Sequence, residues 1–302
     1  MTTRLSCRIR LPEGFRQSDV LAFHRRDYKR MAERVDGRVL QKGLLWEDRA
    51  ACLSLRFATG SVAVDLAVDG LIDTDARQSM KKMVRRMLGL TQPVDEFERT
   101  YRGHRQIGLL VRRNSGLRVP LAATPFEAMA WAIIGQQISV SAAVSVRRNL
   151  IQAAGLRHSS GLWCFPGPVQ VASMDELGLR RLGFSKSKAS ALLELSEQVE
   201  MGLLPLHDWI EAPQEEQIQS RLLAIRGVGP WTVSYVLLRG FGCLDGSLHG
   251  DVAVRRNLQA LLKSKDKIGE AEAQAWLAGF SPWRALVAAH LWAMHRKESE
   301  LR

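Results

Sequence analysis

The chain has 302 residues, 46% of them hydrophobic, and carries 43 Lys/Arg against 31 Asp/Glu, a formal charge of +12 at neutral pH. That length accommodates two domains with separate cores, and the excess positive charge implies a polyanionic partner, nucleic acid first and an acidic membrane surface second. No apolar run nears the roughly 20 residues of a membrane span, the opening MTTRLSCRIRLPEGF lacks an apolar leader core, and Cys7, Cys52, Cys164 and Cys243 show no metal or disulfide spacing. A cytoplasmic protein with reduced cysteines and no membrane association is expected.

In chain order, apolar spacing predicts a helix near 18–34. Alternating, β-branched stretches then follow over 36–68: Arg38-Val39-Leu40, Cys52 to Phe57 and Val62 to Val68. Turns are expected at Glu47-Asp48-Arg49 and Thr59-Gly60, giving a small antiparallel sheet, and a second flanking helix is expected near 74–88. Residues 77–118 hold eleven Lys/Arg, including Arg77, Arg86 and Arg118, opposed only by Asp95, Glu96 and Glu98. This stretch reads either as a footprint for a phosphate backbone or as a solvated face.

Beyond about residue 120 the pattern is helical. Thr124-Pro125-Phe126-Glu127 combines a capping box with Pro at the first helical position, and Ser173-Met174-Asp175-Glu176 repeats the box. Pro213 and Pro282 sit where helices would begin, and Gly155 and Gly202 where helices would close. The fold class expected is α+β, with a sheet domain over 1–112 and a helical domain over 113–302.

Residues 222–251, LLAIRGVGPWTVSYVLLRGFGCLDGSLHGD, carry the functional signal. An apolar turn runs into Gly227-Val228-Gly229, and a second helix follows at once. Two glycines around one apolar residue allow a hairpin so tight that backbone N–H groups turn outward together, where they suit one DNA phosphate. Trp231 and Tyr235, four apart, share a face of the second helix. Asp251 opens a later helix, as a plain N-cap or as a catalytic carboxylate. Asp245, in Leu-Asp-Gly, reads as a turn residue.

Together these residues resemble the helix-hairpin-helix superfamily of DNA glycosylases, and within it the alkylated-base branch of the DNA-3-methyladenine glycosylase II type. The likeness runs from about Thr124 to Trp292. It implies two helical lobes around a cleft and extrusion of the target base into a pocket. Trp231, Tyr235, Trp292, Trp131 and Phe126 would wall that pocket, unless they are ordinary core aromatics. Ala132 to Val140 resembles the segment that wedges into the duplex, by Gln136 or Gln137, although both amides could instead cap the turn. Leu182 to Ala189 resembles a DNA-side loop whose Lys186 and Lys188 would contact phosphates.

The chemistry follows from what is missing. A normal purine needs a general acid to leave, and no obvious His or Glu acid accompanies Asp251. A purine alkylated at N3 or N7 is already cationic, stacks on electron-rich rings for about 0.5–2 kcal/mol each, and leaves without protonation. Asp251 would stabilise the sugar oxocarbenium and orient or deprotonate water. Strand-cutting relatives carry a lysine where Trp231 stands, so the resemblance implies a monofunctional enzyme that leaves an abasic site. It needs no cofactor, although a monovalent cation at the hairpin is compatible with the family. The expected partner is double-stranded DNA containing alkylated bases, bound by a monomer associated with the nucleoid. A glycosylase for an oxidised or deaminated base, or a DNA-binding module without catalysis, are the alternatives.

Overall fold

A computed structural model describes residues 1–73 and 75–294; the first residue of the helix expected from 74 and the end of the expected second domain lie outside the described residues. The front of the chain is one antiparallel sheet of five strands, β1 (Thr2–Arg10), β2 (Glu33–Asp36), β3 (Val39–Trp46), β4 (Arg49–Ala58) and β5 (Ser61–Asp69), in the spatial order β1-β5-β4-β3-β2. The β3–β4 turn is the pair Glu47-Asp48, both left-handed at φ 48° and 61°, and the β4–β5 turn is Thr59-Gly60 with φ 66° at the glycine. The first, with both residues left-handed, matches the right-handed twist of a hairpin.

The sheet is larger than the expected 36–68. β1 pairs along the whole of β5, with Leu5 opposite Leu66 and Ile9 opposite Val62. Its Leu5, Cys7 and Ile9 alternate with Arg4, Ser6, Arg8 and Arg10, a period-two pattern present in the sequence from its second residue.

Two helices flank the sheet, α1 (Gln17–His24) and α2 (Ala76–Met87). The helix expected over 18–34 therefore ends ten residues early. Arg30 turns left-handed at φ 56°, and the Asp27 carboxylate accepts the backbone N–H groups of Ala32 (2.8 Å) and Glu33 (3.0 Å), steering the chain into β2. The apolar spacing ran on because Ala32 packs into the helical core, not onto a continued helix.

The remainder is helical: α3 (Val94–Tyr101), α4 (Gly108–Arg113), α5 (Pro125–Gly135), α6 (Val140–Ala154), α7 (Pro168–Ala172), α8 (Glu176–Arg181), α9 (Lys186–Glu200), α10 (Leu206–Glu211), α11 (Glu215–Leu223), α12 (Pro230–Val236) continued by a π turn (Leu237–Phe241), α13 (Val252–Leu262), α14 (Glu270–Ala278) and α15 (Arg284–Ala293). Gly155 closes α6 at φ 71°, and Gly202, also at φ 71°, follows α9. The second capping box shifts: Asp175 caps α8 by accepting from Gly178 N–H, while Ser173 ends α7. Pro213 and Pro282 each stand two residues before α11 and α15.

At α5 only half of the expected box forms. Thr124 Oγ1 accepts from Glu127 N–H at 3.1 Å, but the Glu127 side chain turns inward. Its Oε1 takes Lys42 Nζ at 2.6 Å and Arg147 at 2.9 Å, and the same two cations reach Glu33 Oε1 at 2.5 and 3.0 Å. This buried quartet joins β2 and β3 to α5 and α6. An ion pair is a stronger claimant on a buried carboxylate than a backbone amide. Around it lie two apolar cores: one on the sheet with α1 and α2, including Ala123, and one in the helices, including Ala32 and Val94 to Val111.

Candidate active site

The hairpin is the short turn between α11 and α12. Gly227 has φ 91°, and a Cβ there would meet Ser187 Oγ of α9 at 3.0 Å, so both conformation and space select glycine. The three amides are not equivalent. Val228 N–H donates to Ile225 O at 3.1 Å and its side chain is buried. Among the described residues only Gly227 and Gly229, of the three, keep amides without a protein acceptor. The expectation that all three N–H groups turn outward is corrected at Val228.

The neighbouring turn between α5 and α6 sorts the two glutamines. Gln136 Nε2 donates to Gly227 O and to Thr232 Oγ1, both at 2.9 Å, which ties the end of α5 to the hairpin. Gln137 is exposed, with a left-handed backbone at φ 55°. Gln136 thus has the turn-stabilising role, and Gln137 alone projects. The two lysines divide in the same way. Lys186 is exposed at the start of α9, whereas Lys188 Nζ donates to Ile134 O at 2.8 Å, and burial lowers its pKa. That bond covers a C-terminal carbonyl of α5, so one of the three Lys188 donors serves a helix end.

Asp251 is the N-cap of α13, and its Oδ1 accepts Val254 N–H at 3.0 Å. It also accepts two indoles: Trp231 Nε1 reaches Oδ2 and Trp292 Nε1 reaches Oδ1, each at 3.1 Å. The cap and the site carboxylate are one group. Among the described residues no cation pairs with it within ion-pair distance. Asp245 contrasts with it: the Arg284 side chain holds both its oxygens at 2.8 Å, and Ser281 Oγ and Arg284 N–H add further bonds, so it is an ion-paired anchor for the start of α15 and not the turn residue expected.

Tyr235 links this carboxylate to a cleft. Its ring lies 5.5 Å from that of Trp231 and 6.5 Å from that of Trp292. The cleft, about 640 Å³ measured out to its open mouth, is walled by Trp131, Tyr235, Phe23, Arg239, Met31 and the buried quartet. Of the five aromatics expected as walls, Trp131 and Tyr235 line it. Trp231 and Trp292 stand beside it on the carboxylate, and Phe126 is corrected to a core residue, 3% exposed.

Phe23 and Arg239 were not anticipated. Arg239 lies on the π turn after α12, donates to Pro120 O at 2.7 Å and sits over the rings of Phe23 (4.8 Å) and Trp292 (5.6 Å). Nothing local in Leu-Arg-Gly-Phe marks it, because its partners come from α1, α15 and the segment before α5.

The two glutamates of the cleft are held as anions. Burial pushes the Glu33 carboxyl up, but Lys42, Arg147 and His24 outweigh it and hold it well below the usual carboxylate range. At Glu127 the same balance, burial against Lys42 and Arg147, also ends low. Both are anions committed to cations. In the basic stretch, Arg86 is buried on Gly240 O and pushed down to about 10 by burial, and the half-buried Arg118 holds Gly89 O and Gln92 O, so both are engaged with backbone carbonyls. Among the described residues no cluster of His, Cys, Asp or Glu could hold a metal ion, and no helix is long and apolar enough to cross a membrane.

Comparison with known proteins matches this arrangement. Residues 130–281 match the family described as HhH-GPD superfamily base excision DNA repair protein. DNA-3-methyladenine glycosylase 2 of Escherichia coli is 29% identical over 189 residues, spanning 62% of this chain and 63% of that protein. A DNA-3-methyladenine glycosylase of Bacillus subtilis is 24% identical over 225 residues, 72% of each chain. The structure of the 3-methyladenine DNA glycosylase from Archaeoglobus fulgidus shares the fold, with a TM-score of 0.79 and 21% identity over 95% of this chain and 97% of that one. With the family spanning half of its length, hairpin and turn included, this chain belongs to the HhH-GPD superfamily of base excision DNA repair proteins.

Proposed function

We propose that the protein is a monofunctional DNA glycosylase that hydrolyses the N-glycosidic bond of alkylated purines, 3-methyladenine and 7-methylguanine, in duplex DNA. The observation that carries this reading is the Asp251 carboxylate, paired with no cation among the described residues and adjoining a cleft walled by Trp131 and Tyr235. The relatives named as 3-methyladenine glycosylases support the substrate class.

In this reading the Gly227 and Gly229 amides bind one phosphate, Lys186 adds a phosphate contact, and Gln137 fills the gap left by the extruded nucleotide. The alkylated base stacks in the cleft as a cation. The C1′–N bond breaks with its electron pair going to the base, which becomes neutral. Asp251 stabilises the oxocarbenium left on the sugar, a water oxygen bonds to C1′, and its proton passes to solvent. No general acid is required, which suits a cleft whose glutamates are held ionised. Trp231, next to the hairpin, has no amine for a Schiff base with the sugar, which supports hydrolysis without strand cleavage.

The test is chromatography of free bases released from methylated duplex DNA by wild type and Asp251→Asn. Release of 3-methyladenine by the wild type alone supports the assignment. Equal release by Asp251→Asn would remove the carboxylate from the mechanism. Release confined to an 8-oxoguanine or deaminated duplex would replace the substrate class, and binding without release of any base would leave a DNA-binding module.

A further inference from the structure

The two indoles on Asp251 have a role that stacking does not describe. We infer that Trp231 and Trp292 are positioning residues, whose N–H groups clamp the Asp251 carboxylate in register with the reacting sugar. This rests on the glycosylase reading above for its chemistry, but the clamp itself is a matter of geometry.

A carboxylate has about four acceptor sites. Oδ1 takes Val254 N–H and Trp292 Nε1–H, and Oδ2 takes Trp231 Nε1–H. Three sites are filled from three helices, α13, α15 and α12, so the carboxylate can neither rotate nor withdraw. One site, on Oδ2, remains for the sugar or for water. All three donors are neutral. They hold the group in place without cancelling its negative charge, whereas a lysine or arginine in their place would neutralise the charge that the oxocarbenium needs.

The indoles are themselves restrained. The Arg239 guanidinium covers part of the Trp292 ring at 5.6 Å, and Tyr235 lies against both indoles. With Arg239 on one side and its N–H engaged, Trp292 is built to aim a hydrogen bond. Trp131 and Tyr235, which line the cleft, are left to stack the base.

Phenylalanine keeps an aromatic ring and deletes the N–H, so Trp231→Phe and Trp292→Phe separate the two roles. The experiment measures single-turnover release of 3-methyladenine, affinity for the same duplex with an abasic site, and the indole N–H resonances of the free protein. Each Phe variant is expected to lose about tenfold in rate with affinity kept within about twofold. In an Asp251→Asn background the same substitutions should cost little more, because the clamped charge is already gone. Of the eight indole signals, two should move upfield in Asp251→Ala and the others should stay.

Full rate in the Trp231→Phe/Trp292→Phe double variant would overturn the clamp, as would affinity falling in step with rate. Indole signals indifferent to Asp251→Ala would also overturn it, and that readout requires no turnover. If the wild type released no base, the glycosylase reading would fall while the resonances still decided the clamp.

Discussion

The carboxylates of this molecule are held in two opposite ways. Glu33 and Glu127 sit in the buried quartet, each bonded to both Lys42 and Arg147. Asp251 is held by Val254 N–H and two indoles, with no cation among the described residues paired to it. The first arrangement cancels charge and fastens the sheet to the helices. The second fixes a charge without cancelling it. A carboxylate paired with cations serves the fold, and one surrounded by neutral donors is available to a reaction. Asp245, gripped by Arg284, belongs with the first kind although it lies six residues from Asp251.

The largest expected effect is on the quartet. Lys42→Met leaves two buried carboxylates sharing one arginine and should lower stability by about 3–5 kcal/mol in chemical denaturation. Trp292→Phe, which removes a neutral donor, should cost far less. Stability equal to wild type in Lys42→Met would mean that the quartet does not fasten the two parts.

Next comes the charge itself. Asp251→Asn should slow base release on the order of 10³-fold with duplex affinity retained. Since asparagine also caps helices well, thermal stability should stay near that of the wild type, and undiminished release would show that the group is mainly a cap.

Acid should act on the fold in two stages. His290, in α15 against Phe97, is held down to about 3 by burial and by the Arg16 charge. Its folded value lies below the unfolded one near 6.5, so the stability it contributes is present above about pH 6.5 and is lost as pH falls towards 3, at up to about 1.4 kcal/mol per pH unit. Glu33 and Glu127, also lowered, contribute stability present above about pH 4.3 and lost below it. His290→Leu should therefore flatten unfolding free energy between about pH 6.5 and 4.5 and leave the decline below that range. A slope unchanged by the substitution would contradict the buried neutral imidazole.

The smallest effect should come from Arg284→Met, which frees the partly exposed Asp245. A loss of about 1 kcal/mol in stability is expected, with base release unchanged. A large fall in turnover would place Asp245 in the site and erase the distinction drawn here.

Much of the site was legible because its parts are local. Gly227 at φ 91°, the cap of α5 at Thr124 and the helix mouth at Asp251 each depend on neighbours within about four residues, as turn and cap chemistry does. The capping box at α5 was only half legible, because the Glu127 side chain has a nearby use and took a distant partner, Lys42, instead. Lys188 and Gln136 likewise reach distant partners, Ile134 and Gly227. A polar side chain takes the bonds that packing brings to it.

The sequence by itself determined the alternating strands, the two-residue turns, the hairpin and the carboxylate at the start of α13, since period, glycine conformation and capping act over a few residues. Only the tertiary structure decided which aromatics line the cleft and which hold Asp251. Trp231 and Trp292 lie 20 and 41 residues from that carboxylate. The same helical face can present a ring to a cavity or an N–H to an acceptor, and the packing of α12, α13 and α15 against one another makes that choice.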